Sequence, residues 1–278
     1  MPDTDPTSPV LPSGRAARRA AVSKPAANAR LVPAVERAVR LLDTLAAAGK
    51  PLPLAELARE LQLPKSSLHG LGATLVALGL ARRDADGQFG LGAKPLQWAD
   101  AFSAQSDLLR TFEAHADSFA KLEPETVMLA VLEHDQVVYL ACRQGSRPLA
   151  VNFRVGGRFP ACCTSSGKAM LATLTDAQVR DIFGNTALPR LTRHGVQNLE
   201  QLLAQLAQAR ARGHAVDDEE TAEGMQCFGA PIHAARQPQA VAAVAVSLIK
   251  AGLSAQRRDA IVAAITQLAG RISTELGG

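Results

Sequence analysis

Apolar residues recur along this chain with two different periods. From residue 31 to about residue 123 they fall three and four apart, the spacing of one helical face. Val35, Val39, Leu42 and Leu45 predict a first helix over 31–48, and Gly49-Lys50-Pro51 stops it. Leu54, Leu57, Ala58 and Leu61 predict a short second helix. Leu63-Pro64 breaks it, and Pro64 suits the opening of a third helix over 65–79. There Leu68, Leu71, Leu75 and Leu78 predict a buried stripe. Two short runs, 80–83 and 88–91, flank Asp84-Ala85-Asp86-Gly87, whose Asp-Gly chemistry predicts a hairpin turn. Three helices and a small hairpin make a winged helix-turn-helix over 31–92. Helical spacing resumes toward residue 123 with Leu96, Ala99, Phe102, Leu108, Leu109, Phe112 and Phe119. Its first part, 93–108, reads as a linker helix.

From Thr126 the pattern changes to alternation and short apolar runs. Strands are expected at 126–132, 136–142, 214–216, 226–232 and 240–249. Helices are expected near 167–174, 176–183, 199–212 and 254–276. Strands interleaved with helices predict an α/β domain with a mainly antiparallel sheet over 109–278. The whole chain is then of the α+β class. Residues 1–30 are rich in Pro, Ala, Ser and Arg and carry almost no large apolar group, so they are expected to be a disordered tail.

Composition adds two constraints. A hydrophobic content of 47% over 278 residues is enough for two cores. The net charge of +4 is not spread evenly. Residues 1–30 hold five basic and two acidic side chains, residues 31–92 seven and six, and residues 93–278 eighteen of each. The excess sits at the N-terminal end, where nucleic acid would be met. The four cysteines show neither CxxC spacing nor a disulfide framework, which suits a reducing cytoplasm. No apolar run is long enough to span a bilayer, and the N-terminus lacks the basic-then-apolar order of a signal peptide. No membrane partner, metal or cofactor is expected.

Candidate chemistry falls in both halves. The third helix opens with Lys65, Ser66, Ser67 and His69, small polar or basic groups at a helix N-terminus. Such groups suit phosphates and base edges in a major groove. Arg82 and Arg83 at the base of the wing, with Arg37 and Arg40 on the first helix, suit backbone phosphates. Further on, Thr164-Ser165-Ser166-Gly167-Lys168-Ala169 precedes an apolar helix. It is either a plain capped helix or a place where N–H groups and hydroxyls hold a carboxylate. It is not a Walker loop, which would need Gly at 162 and Ser or Thr at 169, where the chain has Cys162 and Ala169. Asp217-Asp218-Glu219-Glu220 is an acidic cluster after a short strand. Cys227 reads as a small buried hydrophobe, and Cys162-Cys163 as an unusual adjacent pair.

These residues carry a resemblance. The chain resembles the IclR family of bacterial transcriptional regulators over nearly all of positions 31–276. It does so at Leu54-Ala55-Glu56-Leu57-Ala58, Leu63-Pro64-Lys65-Ser66-Ser67-Leu68-His69, Val155-Gly156-Gly157-Arg158-Phe159-Pro160, Thr164-Ser165-Ser166-Gly167-Lys168-Ala169, and Arg212-Gly213-His214-Ala215-Val216-Asp217-Asp218-Glu219-Glu220 through to Gly224. The resemblance implies a winged helix that binds operator DNA, a linker helix, and a C-terminal GAF-like domain that binds a small carboxylate effector. It implies dimers through the DNA-binding domain and often tetramers. It places Val151, Phe159, Asp217, Met225, Cys227 and Ser247 in the effector pocket, beside Ser165, Ser166 and Gly167.

The chain departs from the family at three positions. Family members often carry Arg and Leu where this chain has Gly70 and Gly72, and a second Ser where it has Ala245. Gly at 70 removes a phosphate or base contact. Ala at 245 removes a polar partner, which suggests a larger or aromatic acid as effector. The expectation is a ligand-responsive regulator of metabolic genes and not an enzyme. The alternatives are a thiol redox sensor, or a hydrolase of small acids using Cys163 or Cys227 with His214 or His233 as base.

Overall fold

The computed structural model describes residues 32–119, 122, 124–146, 153–184, 186–235 and 237–278. The expected tail over 1–30 and the candidate Val151 lie outside the described residues. The chain divides into two compact units between Ser106 and Asp107.

The first unit runs α1 (Pro33–Ala48), α2 (Leu54–Leu61), α3 (Lys65–Ala77), β1 (Ala81–Arg83), β2 (Phe89–Leu91) and α4 (Lys94–Ala104). Its core joins Leu41 and Leu45 of α1, Leu57 and Leu61 of α2, Leu68 and Leu75 of α3, and Leu52, Ala81 and Phe89 around the wing. The stripe expected on α1, Val35, Val39, Leu42 and Leu45, is only partly the buried one. The helix buries Leu41 and Leu45, with Ala38 and Leu42 beside them, because α2 and β2 approach from that side. Val35 and Val39, expected inside, are 61% and 47% exposed. Leu78, expected on the buried stripe of α3, is exposed as well. It stands at the C-cap, where the chain leaves the helix toward Gly79 in the left-handed region at φ +73°. The wing pairs β1 with β2 antiparallel, and Leu52 adds a bridge by exchanging two backbone hydrogen bonds with Phe89. Asp84 shapes its tip: its Oδ1 accepts the N–H groups of Asp86 and Gln88.

The second unit begins with α5 (Asp107–Ala116) and the hairpin β3 (Thr126–Glu133) and β4 (Gln136–Arg143). It continues through β5 (Arg158–Pro160), α6 (Ser165–Leu171), α7 (Asp176–Phe183), α8 (Leu199–Arg212) and β6 (Ala215–Asp218). It closes with β7 (Met225–Ile232), β8 (Ala242–Ile249) and α9 (Ala255–Glu275). The strands form one sheet in the order β5-β4-β3-β8-β7-β6, antiparallel at every pairing. β5 has a single bulky apolar residue in three, so alternation could not reveal it. One face of the sheet, with Val127, Leu129, Val244, Val246 and Phe228, packs on α5 and α9. The other face, with Met128, Ala130, Ala243, Ala245 and Cys227, packs beneath α6, α7 and α8. No helix of the described residues is long and apolar enough to cross a membrane.

Candidate functional site

The outer side of α3 is open. Lys65, Ser66, Ser67 and His69 are all exposed, while Leu68 between them anchors the helix in the core. Pro64 is the N-cap, in extended geometry, and no side chain caps the helix. Its first N–H groups therefore remain available to an acceptor. Beyond His69 the open side carries only small groups, Gly70, Ala73, Thr74 and Ala77. Arg82 and Arg83 are exposed on β1. Arg83 is partly committed: its Nε donates to Gly87 O at 3.1 Å and its guanidinium lies over the Phe89 ring. On α1, Arg37 and Arg40 are exposed, and Arg40 reaches Leu61 O at 3.4 Å.

The two glycines of α3 differ in kind. A Cβ on Gly70 would meet nothing within 4 Å, whereas one on Gly72 would strike the Phe89 ring. Gly72 is thus a packing residue under the wing, and only Gly70 is a change on the open surface.

In the second unit the strand register builds a buried polar row. Asp217 on β6 stands beside Cys227 on β7, Cys227 beside Ser247 on β8, and Ser247 beside Thr126 on β3. All four are buried. Cys227 Sγ donates to Ser247 Oγ at 3.3 Å. Asp217 Oδ1 accepts the N–H groups of Glu220 at 2.7 Å and Thr221 at 3.1 Å, which curls 217–221 into a turn. Burial pushes the Asp217 carboxyl above its ordinary value, against the pull of Lys168 and of its N–H donors. Met225, two residues before Cys227 on β7, is buried in the same cluster.

α6 lies over this row. Gly229 of β7 has no room for a side chain, since a Cβ there would stand 2.5 Å from Ser165 O. The backbone at Ser165 and Ser166 thereby sits directly on the sheet. Thr164 is the N-cap, and its Oγ1 accepts the Gly167 N–H at 3.0 Å. That corrects one expectation: the Gly167 N–H is already taken and is not free for an anion. Gly167 instead lets α6 rest on the backbone of Ala161. Ser165 and Ser166 are both buried, and Ser166 lies beside the Tyr139 phenol.

Three aromatic rings close one end. Phe159 on β5 packs against Tyr139 on β4 and against Phe153, with centroids 5.6 and 6.2 Å apart, and Tyr139 and Phe153 stand 5.4 Å apart. Phe159 had been singled out in the sequence, but Tyr139 and Phe153 had not. Tyr139 sits two positions from Val137 on the same strand face, a weak signal that needed the sheet register to interpret.

A buried ion pair was also missed. Lys168 Nζ reaches Glu220 Oε1 at 2.6 Å and Gln205 Oε1 at 2.8 Å, and both charged side chains are nearly inaccessible. The Asp217 turn and α6 are therefore joined by charge as well as by packing. Thr221 Oγ1 adds a bond to Cys163 O at 3.0 Å.

The thiols are not arranged for chemistry. Cys162 and Cys163 are buried, and both point to Pro189 O. Their contact and burial raise the Cys162 pKa, and burial raises that of Cys227. Among the described residues no imidazole is bonded to any of these thiols. His214 and His233 line a separate cleft with Ala169, Ala172, Arg210 and Pro231. The redox and hydrolase alternatives find no support here.

One chain thus carries a winged helix open to duplex DNA and a second unit with a sheltered polar interior. That is the division of labour of a one-component transcriptional regulator. Comparison with known proteins narrows the class: the IclR helix-turn-helix domain model matches residues 34–85, and that of the bacterial transcriptional regulator IclR C-terminal domain matches residues 101–274. The chain belongs to the IclR family of bacterial transcriptional regulators. It is similar to the crystal structure of the Agrobacterium tumefaciens repressor BlcR, at 38% identity and a TM-score of 0.57, covering 89% of this chain and 98% of that one. The Pca regulon regulatory protein of Pseudomonas putida is 29% identical, over 76% of this chain and 72% of that protein. An IclR homolog of Microbacterium hydrocarbonoxydans, solved in complex with 4-hydroxybenzoate, is 25% identical with a TM-score of 0.72, covering 88% of this chain and 99% of that one.

Proposed function

We propose that this regulator couples operator binding through α3 to an aromatic monocarboxylic acid sensed in the second unit. The observation that carries the effector class is the buried polar row Asp217, Cys227, Ser247 lying under α6 beside the rings of Phe153 and Phe159. A flat apolar body would meet the rings, and its few polar atoms would meet the row. Ala245, where the family often has a second Ser, makes the floor less polar, in keeping with an aromatic ligand. The 4-hydroxybenzoate bound by the Microbacterium homolog and the name of the Pca regulon regulator support the same class. Ser165, Ser166, Phe159 and Met225 would complete the lining.

On the DNA side, Lys65, Ser66, Ser67 and His69 would read the major groove, and Arg82, Arg83, Arg37 and Arg40 would hold phosphates. The protein would act in the cytoplasm as a homodimer or homotetramer. The exposed apolar side chains Val35 and Val39 on α1, and Leu96, Trp98 and Phe102 on α4, would be covered in the dimer. Coupling of ordinary size, about 1–3 kcal/mol, would change operator affinity by roughly 5–150-fold.

Fluorescence anisotropy on DNA from upstream of the chain's own gene tests the reading, with and without benzoate and 4-hydroxybenzoate. The expected result is tight binding at low salt that shifts by at least fivefold with one of the acids. No binding at low salt would overturn the DNA reading, and binding indifferent to both acids would overturn the effector class.

A further inference from the structure

The outward side of α3 is unlike that of its neighbours. Ser66, Gly70, Ala73 and Ala77 follow helical spacing, which puts them on one side of the helix, opposite the buried Leu68, Gly72 and Leu75. All of the outward set are exposed. The exposed positions of α1 include Glu36, Arg37, Arg40 and Asp43, and those of α2 include Arg59 and Glu60. A solvated helix face normally carries such charge. From Gly70 to Ala77, α3 carries none.

Nothing inside the first unit requires Gly70 to be small. A Cβ there would meet no atom within 4 Å, in contrast to Gly72, where the Phe89 ring stands in the way. A glycine in open space only weakens a helix. This stretch also has no hydrogen-bond donor to offer a base. Its one polar side chain, Thr74, spends its hydroxyl proton on Gly70 O at 2.9 Å. Side-chain donors are therefore confined to the start of the helix, at Lys65, Ser66, Ser67 and His69. The middle of the open side offers close approach and the methyl groups of Ala73 and Ala77. Thymine alone among the bases presents a methyl group in the major groove, and alanine packs against it.

We propose that Ala73 selects thymine in the operator by packing its methyl group against the thymine 5-methyl group, with Ala77 extending the same apolar contact. The inference rests on the DNA reading given above and adds to it which base the middle of α3 recognises. Hydrogen-bonded readout falls to the start of the helix, and apolar readout to its middle. Ala73 is thus a specificity-determining residue that bears no polar atom on its side chain.

The test uses the full chain and fluorescence anisotropy on the DNA upstream of its own gene, prepared once with thymidine and once with deoxyuridine in its place. The two DNAs differ only in the 5-methyl groups. Burying one methyl group is worth about fourfold in affinity, and a dimer engages a pair of half-sites, so the deoxyuridine DNA should bind the wild-type chain roughly tenfold or more weakly. Ala73→Gly removes the protein's methyl group and should cut that ratio by roughly threefold or more. Ala73→Ser, a better helix former than glycine, should cut it as well, because a hydroxyl loses its water when pressed against a methyl group. Lys65→Ala should weaken both DNAs alike and leave the ratio as it is. Equal binding of the two DNAs by the wild-type chain overturns the inference and leaves the DNA reading standing. A thymine preference that survives undiminished in both Ala73 variants overturns it too, since the methyl groups are then read elsewhere. If the wild-type chain binds neither DNA at low salt, the DNA reading itself fails and this inference falls with it.

Discussion

Gly72 of α3 lies beneath the ring of Phe89 in the wing, so close that a Cβ on Gly72 would stand 2.8 Å from Phe89 Cε1. α3 and the wing are fitted to each other at this point. A glycine inside a helix costs about 1 kcal/mol relative to alanine. Here that cost accompanies a close approach of ring to backbone. Gly72→Ala should therefore destabilise the first unit by about 1 kcal/mol net, as overpacking of about 1–3 kcal/mol outweighs the propensity gain. Gly70→Ala, with open space around its new methyl group, should stabilise by up to about 1 kcal/mol. Urea denaturation followed by circular dichroism reads both. Equal gains from the two substitutions would refute the packing role of Gly72.

Gly70 also bears on DNA affinity. It is exposed one residue after His69 on the open side of α3. Gly70→Arg should restore a phosphate contact and make the salt dependence of operator binding steeper by about 0.9 in the log–log slope. Lys65→Ala should flatten it by a similar amount. Anisotropy titrations at several salt concentrations measure the slopes. No change in slope for either variant would mean that α3 does not face the phosphate backbone through these positions.

Asp217 makes a prediction in pH. Its folded pKa is raised above the ordinary 3.8 by burial. Such a group favours folding below its unfolded pKa, and that advantage is lost as pH rises through the folded value. Asp217→Asn removes the titration while keeping an oxygen to accept from Glu220 and Thr221. The variant should thus gain thermal stability over wild type at neutral pH, and the gain should shrink as pH falls toward 3.8. A gain that stays constant with pH would show that Asp217 does not titrate in this way.

The exposed apolar side chains of the first unit predict the assembly. Val39 is 47% exposed on α1 and Phe102 55% exposed on α4. A charge at either position should weaken the proposed dimer. Sedimentation velocity of Val39→Asp and Phe102→Asp at micromolar concentration should show a shift toward monomer relative to wild type. An unchanged distribution for both variants would place the interface elsewhere.

Much of the fold was readable in advance because each element of the first unit is amphipathic and punctuated. Pro64, Gly49 and the Asp86-Gly87 turn are local signals, and local signals survive without tertiary context. The errors came where one helix offered two apolar sides. On α1, Val35 and Val39 were as eligible for the core as Leu41, and only the approach of α2 and β2 chose between them. The candidate site divides in the same way. Asp217, Cys227 and Ser247 could be named from motif resemblance, yet nothing in their spacing of ten and twenty residues sets them side by side. Tyr139 carried only a weak signal in its strand alternation, and nothing in the spacing of Lys168 and Glu220 announced their pairing.

The chain's own order of residues determined that there would be a winged helix, an α/β unit and a polar helix start at Lys65. Those features depend on periodicity and on backbone chemistry within a few residues. Tertiary structure alone decided which hydroxyls, rings and carboxylates share an interior. That outcome rests on strand register, where a shift of one residue would send Cys227 and Ser247 to the opposite face, against α9. Long-range packing selects the register, and no local stretch of sequence encodes it.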